Sequence, residues 1–121
     1  MRAGKYNITV EQGSTLNFKV IYESSDGTPV PLNNYSAKMQ IRPDYADLTS
    51  TTYLTLSSSL DMDGTGLTIT PTSGSVGIFI SAAKTDAFQF TEAIYDLELY
   101  NNDLVVRLLE GKVKVKKSVT R

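Results

Sequence analysis

The chain has 121 residues and a formal net charge of −1, and 40% of its residues are hydrophobic. This length and composition predict a single domain with one core, spanning residues 1–121. The sequence contains neither His nor Cys, so the usual general base, the thiolate nucleophile and the common zinc, copper and haem ligands are missing. We therefore expect a protein that is not an enzyme, with no cofactor and no small-molecule substrate.

The same composition bears on partners and location. A net charge near zero gives no general attraction to nucleic acid or to an anionic membrane. No apolar run approaches the ~20 residues that a bilayer-spanning helix needs, and the first residues lack the apolar segment of a signal peptide. We expect a protein made in a cytoplasm, with neither nucleic acid nor a membrane as its partner.

Apolar residues recur at every second position over most of the chain, a pattern typical of strands with one buried face. Turn signals separate these runs at intervals of about ten residues, which indicates a sandwich or a barrel. Only residues 81–88 look helical, with Ser81 as the N-cap. We predict an antiparallel β-sandwich of seven to nine strands with at most one short helix. The predicted core residues are Phe18, Val20, Met39, Ile41, Ile69, Ile78, Ile80, Tyr95, Leu97, Val106 and Leu108.

The last part of the chain differs from the rest. Residues 104–109 are nearly all apolar, which predicts a strand covered on both faces, and Gly111 predicts a β-bulge after it. Residues 1–111 carry seven basic and thirteen acidic side chains, whereas residues 112–121 carry five basic ones and no acid. These five are Lys112, Lys114, Lys116, Lys117 and Arg121.

Two explanations of this basic end remain open. One is that the segment projects past the bulge and contacts another protein chain through residues 113–121, by strand addition and by charge. The other is an edge strand whose lysines only prevent aggregation. We predict the first, with the five basic residues at the interface.

The segment Asp61-x-Asp63-x-Thr65-Gly66 matches the first half of a calcium-binding loop. The Glu that should close such a loop is replaced by Thr72, and the flanking segments are predicted strands rather than helices. We therefore expect an ordinary Asp-Gly turn, and Asp61 and Asp63 remain weak candidates for metal ligands.

Tyrosine is the commonest aromatic residue, with seven copies and no Trp. Tyr45 and Tyr53 lie between residues 43 and 59, a stretch with few predicted core residues. Because Tyr combines contact area with a polar tip, we treat these two residues as candidates for a protein interface.

Several segments together resemble a family of small virion proteins of tailed bacteriophages, similar to the N-terminal domain of phage baseplate upper proteins. The most telling are Leu32-Asn-Asn-Tyr35-Ser-Ala37 and Tyr95-Asp-Leu-Glu-Leu99. The resemblance covers nearly the whole chain and implies an immunoglobulin-like sandwich in a phage particle. It implies no catalytic or ligand-binding residues.

The resemblance implies that this protein is a structural component of the virion, in the tail or baseplate. There it would contact other virion proteins and further copies of itself. Its position in the particle is left open by the sequence, and a capsid decoration protein is an alternative. Another alternative is a free-standing module that binds a glycan or a protein on the host surface. The absence of Trp weighs against a glycan-binding module, because such modules usually present exposed aromatic residues.

Overall fold

The computed structural model of the chain describes residues 4–43, 52–102 and 104–119. These residues form nine strands, a five-residue helix and one 3-10 turn, as the alternating pattern predicts. The elements are β1 (Gly4–Lys5), β2 (Ile8–Glu11), β3 (Leu16–Ile21), β4 (Ser36–Arg42), β5 (Leu54–Ser57), β6 (Gly66–Thr70), the 3-10 turn (Pro71–Ser73), β7 (Ser75–Ile80), α1 (Ala82–Asp86), β8 (Glu92–Asn101) and β9 (Leu104–Lys116).

The strands form two sheets, which confirms the predicted β-sandwich. The larger sheet has the order β1-β9-β8-β4-β5, and β2 also pairs with β9; the smaller sheet has the order β3-β7-β6. Pairing is antiparallel except that β1 and β2 run parallel to β9. The predicted antiparallel β-sandwich therefore contains two strands, β1 and β2, that pair in parallel. The chain leaves the larger sheet after β2 and crosses to β3 in the smaller one, so no hairpin joins β2 to β9 and their relative direction is not set by a turn.

The core lies between the sheets, where the inward side chains of β4, β7 and β8 meet. Met39, Ile41, Ile78, Ile80, Tyr95 and Leu97 are buried, as predicted. The predicted core residues Phe18, Val20, Ile69, Val106 and Leu108 are only partly buried and pack against this cluster. Buried residues that the prediction omitted include Val10, Leu32, Leu56, Leu67, Leu99 and Val113.

Strand β9 carries a bulge at a different place from the predicted one. Leu97 pairs with Leu109 while Glu98 pairs with Arg107, so Leu108 is the extra residue. A bulge exchanges the faces of all later residues, and Leu109 and Val113 therefore point inward. The prediction that residues 104–109 are covered on both faces was wrong, because Leu104 and Val105 are 58% and 63% exposed. Val105 points to the outer face of the sheet, opposite Tyr100, and Leu104 lies at the first position of the strand.

Gly111 instead marks a close approach between two strands. A Cβ atom at this position would lie 2.2 Å from the carbonyl oxygen of Tyr6, between β1 and β2. The same oxygen accepts a hydrogen bond of 2.6 Å from the Tyr95 hydroxyl. Burial raises the pKa of Tyr95, which keeps this hydroxyl protonated as a donor. Asn7 adds a second contact between the N-terminal segment and β9, since its Oδ1 accepts a hydrogen bond of 3.0 Å from the backbone N–H of Lys112.

The helix α1 forms where it was predicted, and the Ser81 hydroxyl caps it by accepting from the backbone N–H of Lys84. Its buried Thr85 donates to the carbonyl of Ser14 at 2.8 Å and accepts from the N–H of Gly13 at 3.1 Å. The helix thereby holds the turn between β2 and β3. It is too short to be stable alone and depends on these contacts.

Candidate functional site

The predicted basic row, Lys112, Lys114 and Lys116, lies on the outer face of the larger sheet. All three side chains are exposed and make no ion pair within the described residues. Their neighbours in register on β8 and β2 include Glu92, opposite Lys114, and Glu11, opposite Lys116. The row is therefore a solvated basic strip with two carboxylates beside it.

The structure contradicts the strand-addition and edge-strand explanations of this strip, while a contact by charge stays a prediction. At Val113 and Lys114, β9 pairs with β8 on one side and with β2 on the other, and the backbone N–H of Val115 donates to the carbonyl of Thr91. This part is therefore not an open edge that could accept another strand. Val113 and Val115 are 1% and 3% exposed, so the expected apolar strip is already part of the core. Sequence alternation alone does not reveal the partner strand, because β2 is about a hundred residues away in the chain.

The residues after β9 are also attached to the body of the domain. The Lys117 ammonium group donates to the carbonyl of Phe88 at 3.1 Å, and the backbone N–H of Ser118 donates to Oε1 of Gln12 at 3.1 Å. Gln12 is buried, and its amide nitrogen donates to the carbonyl of Phe88 at 3.0 Å. This part of the chain does not project from the sandwich as predicted. Arg121 lies outside the described residues.

Of the two candidate interface tyrosines, Tyr53 lies within the described residues. Tyr53 stacks on Phe90, with ring centroids 4.1 Å apart and planes within 6° of parallel, and packs against the core cluster. One face of the Tyr53 ring is therefore covered by Phe90 and is not available to a partner protein. Tyr45 lies outside the described residues.

Asp61 and Asp63 belong to the expected Asp-Gly turn. The backbone N–H of Gly64 donates to the carbonyl of Asp61, and Gly64 has a left-handed φ of 87°. Asp63 accepts from the Ser81 hydroxyl at 2.7 Å and from the backbone N–H of Thr65 at 3.0 Å. These hydrogen bonds, with Ser81 first, lower the pKa of Asp63 to about 2. Asp61 pairs with Lys84 at 3.3 Å, so protein groups already occupy both carboxylates.

Arg107 forms an ionic cluster at the centre of the outer face. Its guanidinium lies 3.5 Å from Asp96, 3.6 Å from Glu98 and 3.8 Å from Glu110. Lys5 pairs with Glu110 at 3.1 Å. These residues line a shallow depression of about 710 Å³ together with parts of β4. Burial raises the pKa of Asp96, and the nearby Arg107 opposes this shift. Sequence reasoning missed this cluster because its four main members meet across the β8–β9 hairpin, and the bulge at Leu108 sets which of them lie opposite each other.

The end of the larger sheet nearest the β8–β9 hairpin carries exposed apolar side chains. Tyr100, Leu104 and Val105, which we call the tip patch, are 41%, 58% and 63% exposed. Tyr100 and Val105 point to the outer face, and Leu104 points to the other face of the same strand end. Tyr100 lies directly opposite Val105 in the sheet, and β8 pairs with one side of β9 here. On the other side, β1 first pairs at Leu109, so residues 104–108 have no strand partner there among the described residues. Apolar side chains beside an unpaired strand edge favour contact with another chain.

Within the described residues, no cluster of three or more acidic side chains has a geometry suited to a metal ion. The helical segments that the structure describes are too short to cross a membrane. Comparison with known proteins gave no match to any protein-family model or to any curated protein.

Proposed function

We propose that this protein is a non-enzymatic structural component of a tailed bacteriophage particle, in its tail or baseplate. In this proposal it acts through contacts with other virion proteins and with copies of itself, arranged symmetrically. The segments 32–37 and 95–99, which resemble phage virion proteins, supply the link to phages. The absence of His and Cys supports a role without catalysis.

The strand order supports the immunoglobulin-like part of the resemblance. Strands β3-β7-β6 follow each other like the B, E and D strands of that fold, and β9-β8-β4 follow each other like its G, F and C strands. Such sandwiches serve many functions, so the fold alone does not identify this one.

The tip patch is the observation that carries the protein-contact part of the proposal. It combines three exposed apolar side chains with a strand segment, residues 104–108, that has no partner on one side among the described residues. The partner that fits this surface is an extended segment of another virion chain with apolar side chains, added as a strand beside β9. The basic strip formed by Lys112, Lys114 and Lys116 adds attraction to an acidic neighbouring chain, and salt weakens that attraction.

Mass spectrometry of purified particles tests the virion assignment directly, since absence of the protein from particles contradicts it. The contact itself is tested with Val105→Lys, which places a charge on the tip patch without disturbing a buried residue. We expect the variant to fold normally and to enter particles at a reduced level.

The matched control is Met62→Lys, which changes a fully exposed apolar residue on the Asp-Gly turn. We expect this control to enter particles normally. If Val105→Lys enters particles as efficiently as Met62→Lys, the tip patch is not an assembly contact.

A further inference from the structure

A second surface lies close to the tip patch, where the turn before β4 meets the β8–β9 hairpin. The two segments enclose an open cavity of about 510 Å³. Its lining is polar but carries no charged side chain, and we call it the Asn–Tyr pocket. The lining residues are Asn34, Ser36, Tyr100, Asn101 and Asn102.

The positions of these residues follow from the sheet register. Ser36 on β4 lies directly opposite Tyr100 on β8, and Asn34 precedes Ser36 by two residues. Asn34 and Asn102 have left-handed backbone conformations, with φ of 66° and 48°. They are the two non-glycine residues with positive φ in the described part of the chain, and both line this pocket. Asn adopts this conformation more readily than most residues, so the turns can carry amides here instead of glycine.

The side chains of the pocket have unused hydrogen-bonding capacity. No hydrogen bond among the described residues involves the side-chain amides of Asn34, Asn101 or Asn102, or the hydroxyls of Ser36 and Tyr100. Each amide group can donate two hydrogen bonds and accept two, and a hydroxyl can do both. Tyr100 also exposes 41% of its surface, which leaves part of its ring available for contact.

These features match one class of small ligand better than others. A sugar hydroxyl donates and accepts at once, as the amides do, and the C–H groups of a sugar ring can cover an aromatic face. An anionic ligand would require a cation, and the lining contains none. An apolar peptide would require apolar walls, but Leu104 and Val105 are not part of this lining.

We propose that the Asn–Tyr pocket binds a neutral carbohydrate. Asn34, Asn101 and Asn102 hydrogen-bond the sugar hydroxyls, and Tyr100 packs against the ring. In immunoglobulin domains the loops at one end of the sandwich carry recognition, and Tyr, Ser and Asn are enriched in those loops. This activity differs from the assembly role proposed above: the pocket shares Tyr100 with the tip patch but does not use Leu104 or Val105.

The test is an NMR titration of the 121-residue protein, labelled with ¹⁵N, with glucose, galactose, rhamnose, N-acetylglucosamine and N-acetylgalactosamine. We expect at least one sugar to shift the side-chain amide signals of Asn34, Asn101 and Asn102 in a saturable way. For a single sugar ring the affinity should be weak, of about millimolar dissociation constant. Glucuronate, which carries a negative charge, should bind more weakly than glucose.

Variants locate the site without damaging the fold. Asn34→Gly combined with Asn102→Gly removes two amides but keeps the left-handed backbone, since glycine adopts positive φ readily. We expect this double variant, and Tyr100→Ala, to weaken binding about tenfold or more. Tyr100→Phe keeps the ring and should retain most of the affinity. Asn17→Ala, a change of an exposed Asn on β3, is the matched control and should leave binding unchanged.

Absence of a saturable shift with every sugar of the panel would overturn the proposal. So would a sugar that binds the double variant and Tyr100→Ala as tightly as the unaltered protein. If the amide signals respond instead to another purified virion protein and to no sugar, the pocket is a protein contact and the carbohydrate assignment is wrong. None of these outcomes depends on whether the protein enters particles, so the two proposals fail separately.

Discussion

The contact between Gly111 and the N-terminal strands leads to a sharp prediction, because it joins β1 and β2 to the rest of the sandwich. In Gly111→Ala, the new Cβ atom would lie 2.2 Å from the Tyr6 carbonyl oxygen, 2.8 Å from its carbonyl carbon and 3.1 Å from Oδ1 of Asn7. Real Cβ atoms do not approach other atoms below 3.0 Å. The obstructing atoms belong mainly to the backbone, so a side-chain rotation cannot relieve the clash.

The expected cost follows from the hydrogen bonds at the same place. Moving the Tyr6 carbonyl away weakens its 2.6 Å hydrogen bond from Tyr95, the 3.0 Å bond from the Tyr6 N–H to the Glu110 carbonyl, and the bond between Lys112 and Asn7. Each such bond contributes about 1 kcal/mol net, and a desolvated hydroxyl without a partner costs about 1–3 kcal/mol. We therefore expect Gly111→Ala to lower the free energy of unfolding by about 3 kcal/mol.

Urea unfolding followed by circular dichroism measures this change, and the corresponding fall in Tm is about 10 °C. Gly77→Ala is the matched control, since Gly77 also lies within a strand but its new Cβ would be 3.7 Å from the nearest atom, the carbonyl oxygen of Thr68. The control should be neutral or stabilising by up to about 1 kcal/mol. If the two variants unfold at the same urea concentration, the inferred close approach at Gly111 is wrong.

A double-mutant cycle identifies the mechanism. Tyr95→Phe removes the hydroxyl that donates to Tyr6 and should cost about 1 kcal/mol in the unaltered protein. In the Gly111→Ala background the same change should cost much less, because the hydrogen bond is already weakened. Additive effects of the two substitutions would show that Gly111→Ala destabilises the protein in another way.

Three further predictions concern the core and two carboxylates. Leu97 is fully buried, so Leu97→Ala should lower the free energy of unfolding by about 2–5 kcal/mol, and a loss below about 1 kcal/mol in urea unfolding would contradict its inward orientation. Because hydrogen bonds from Ser81 and Thr65 lower the folded pKa of Asp63 to about 2, its stabilising contribution is present above the unfolded value of 3.8 and is lost as the pH falls towards 2. The Tm of Asp63→Asn should therefore fall less over this pH range than the Tm of the unaltered protein. Equal falls would refute the lowered pKa of Asp63. Burial raises the folded pKa of Asp96, so the folded protein binds that proton more tightly than the unfolded chain, and stability falls as the pH rises through the titration of this group. Asp96→Asn should be at least as stable as the unaltered protein at pH 7 and should lose that advantage in acid; a lower Tm at pH 7 would show that the pair with Arg107 outweighs the cost of burial.

The Asp63 and Asp96 predictions have opposite signs for a physical reason. The Asp63 carboxylate is exposed and receives hydrogen bonds that favour its charged form, whereas Asp96 is partly withdrawn from water beside Glu98 and Glu110. Comparison of the two Asn variants over one series of pH values therefore tests both explanations, with each variant as a control for the other.

The sequence by itself determined the elements that depend on neighbouring residues. The alternation of apolar and polar residues in β4, β7 and β8 predicted both the strands and the inward orientation of residues such as Met39 and Leu97, because successive side chains of a strand point to opposite faces. The cap at Ser81 and the turn at Gly64 are equally local, since each requires only the residues of one turn.

Only the tertiary structure decided which strands meet. The parallel pairing of β2 with β9 buried Val113 and Val115 and made the predicted edge an interior strand, and no local pattern encodes a pairing between residues 105 positions apart. The bulge at Leu108 similarly changed which side chains of β9 face the core, because one extra residue reverses the alternation. The Arg107 cluster and the Asn–Tyr pocket arise in the same way, since register brings together residues from separate strands and turns.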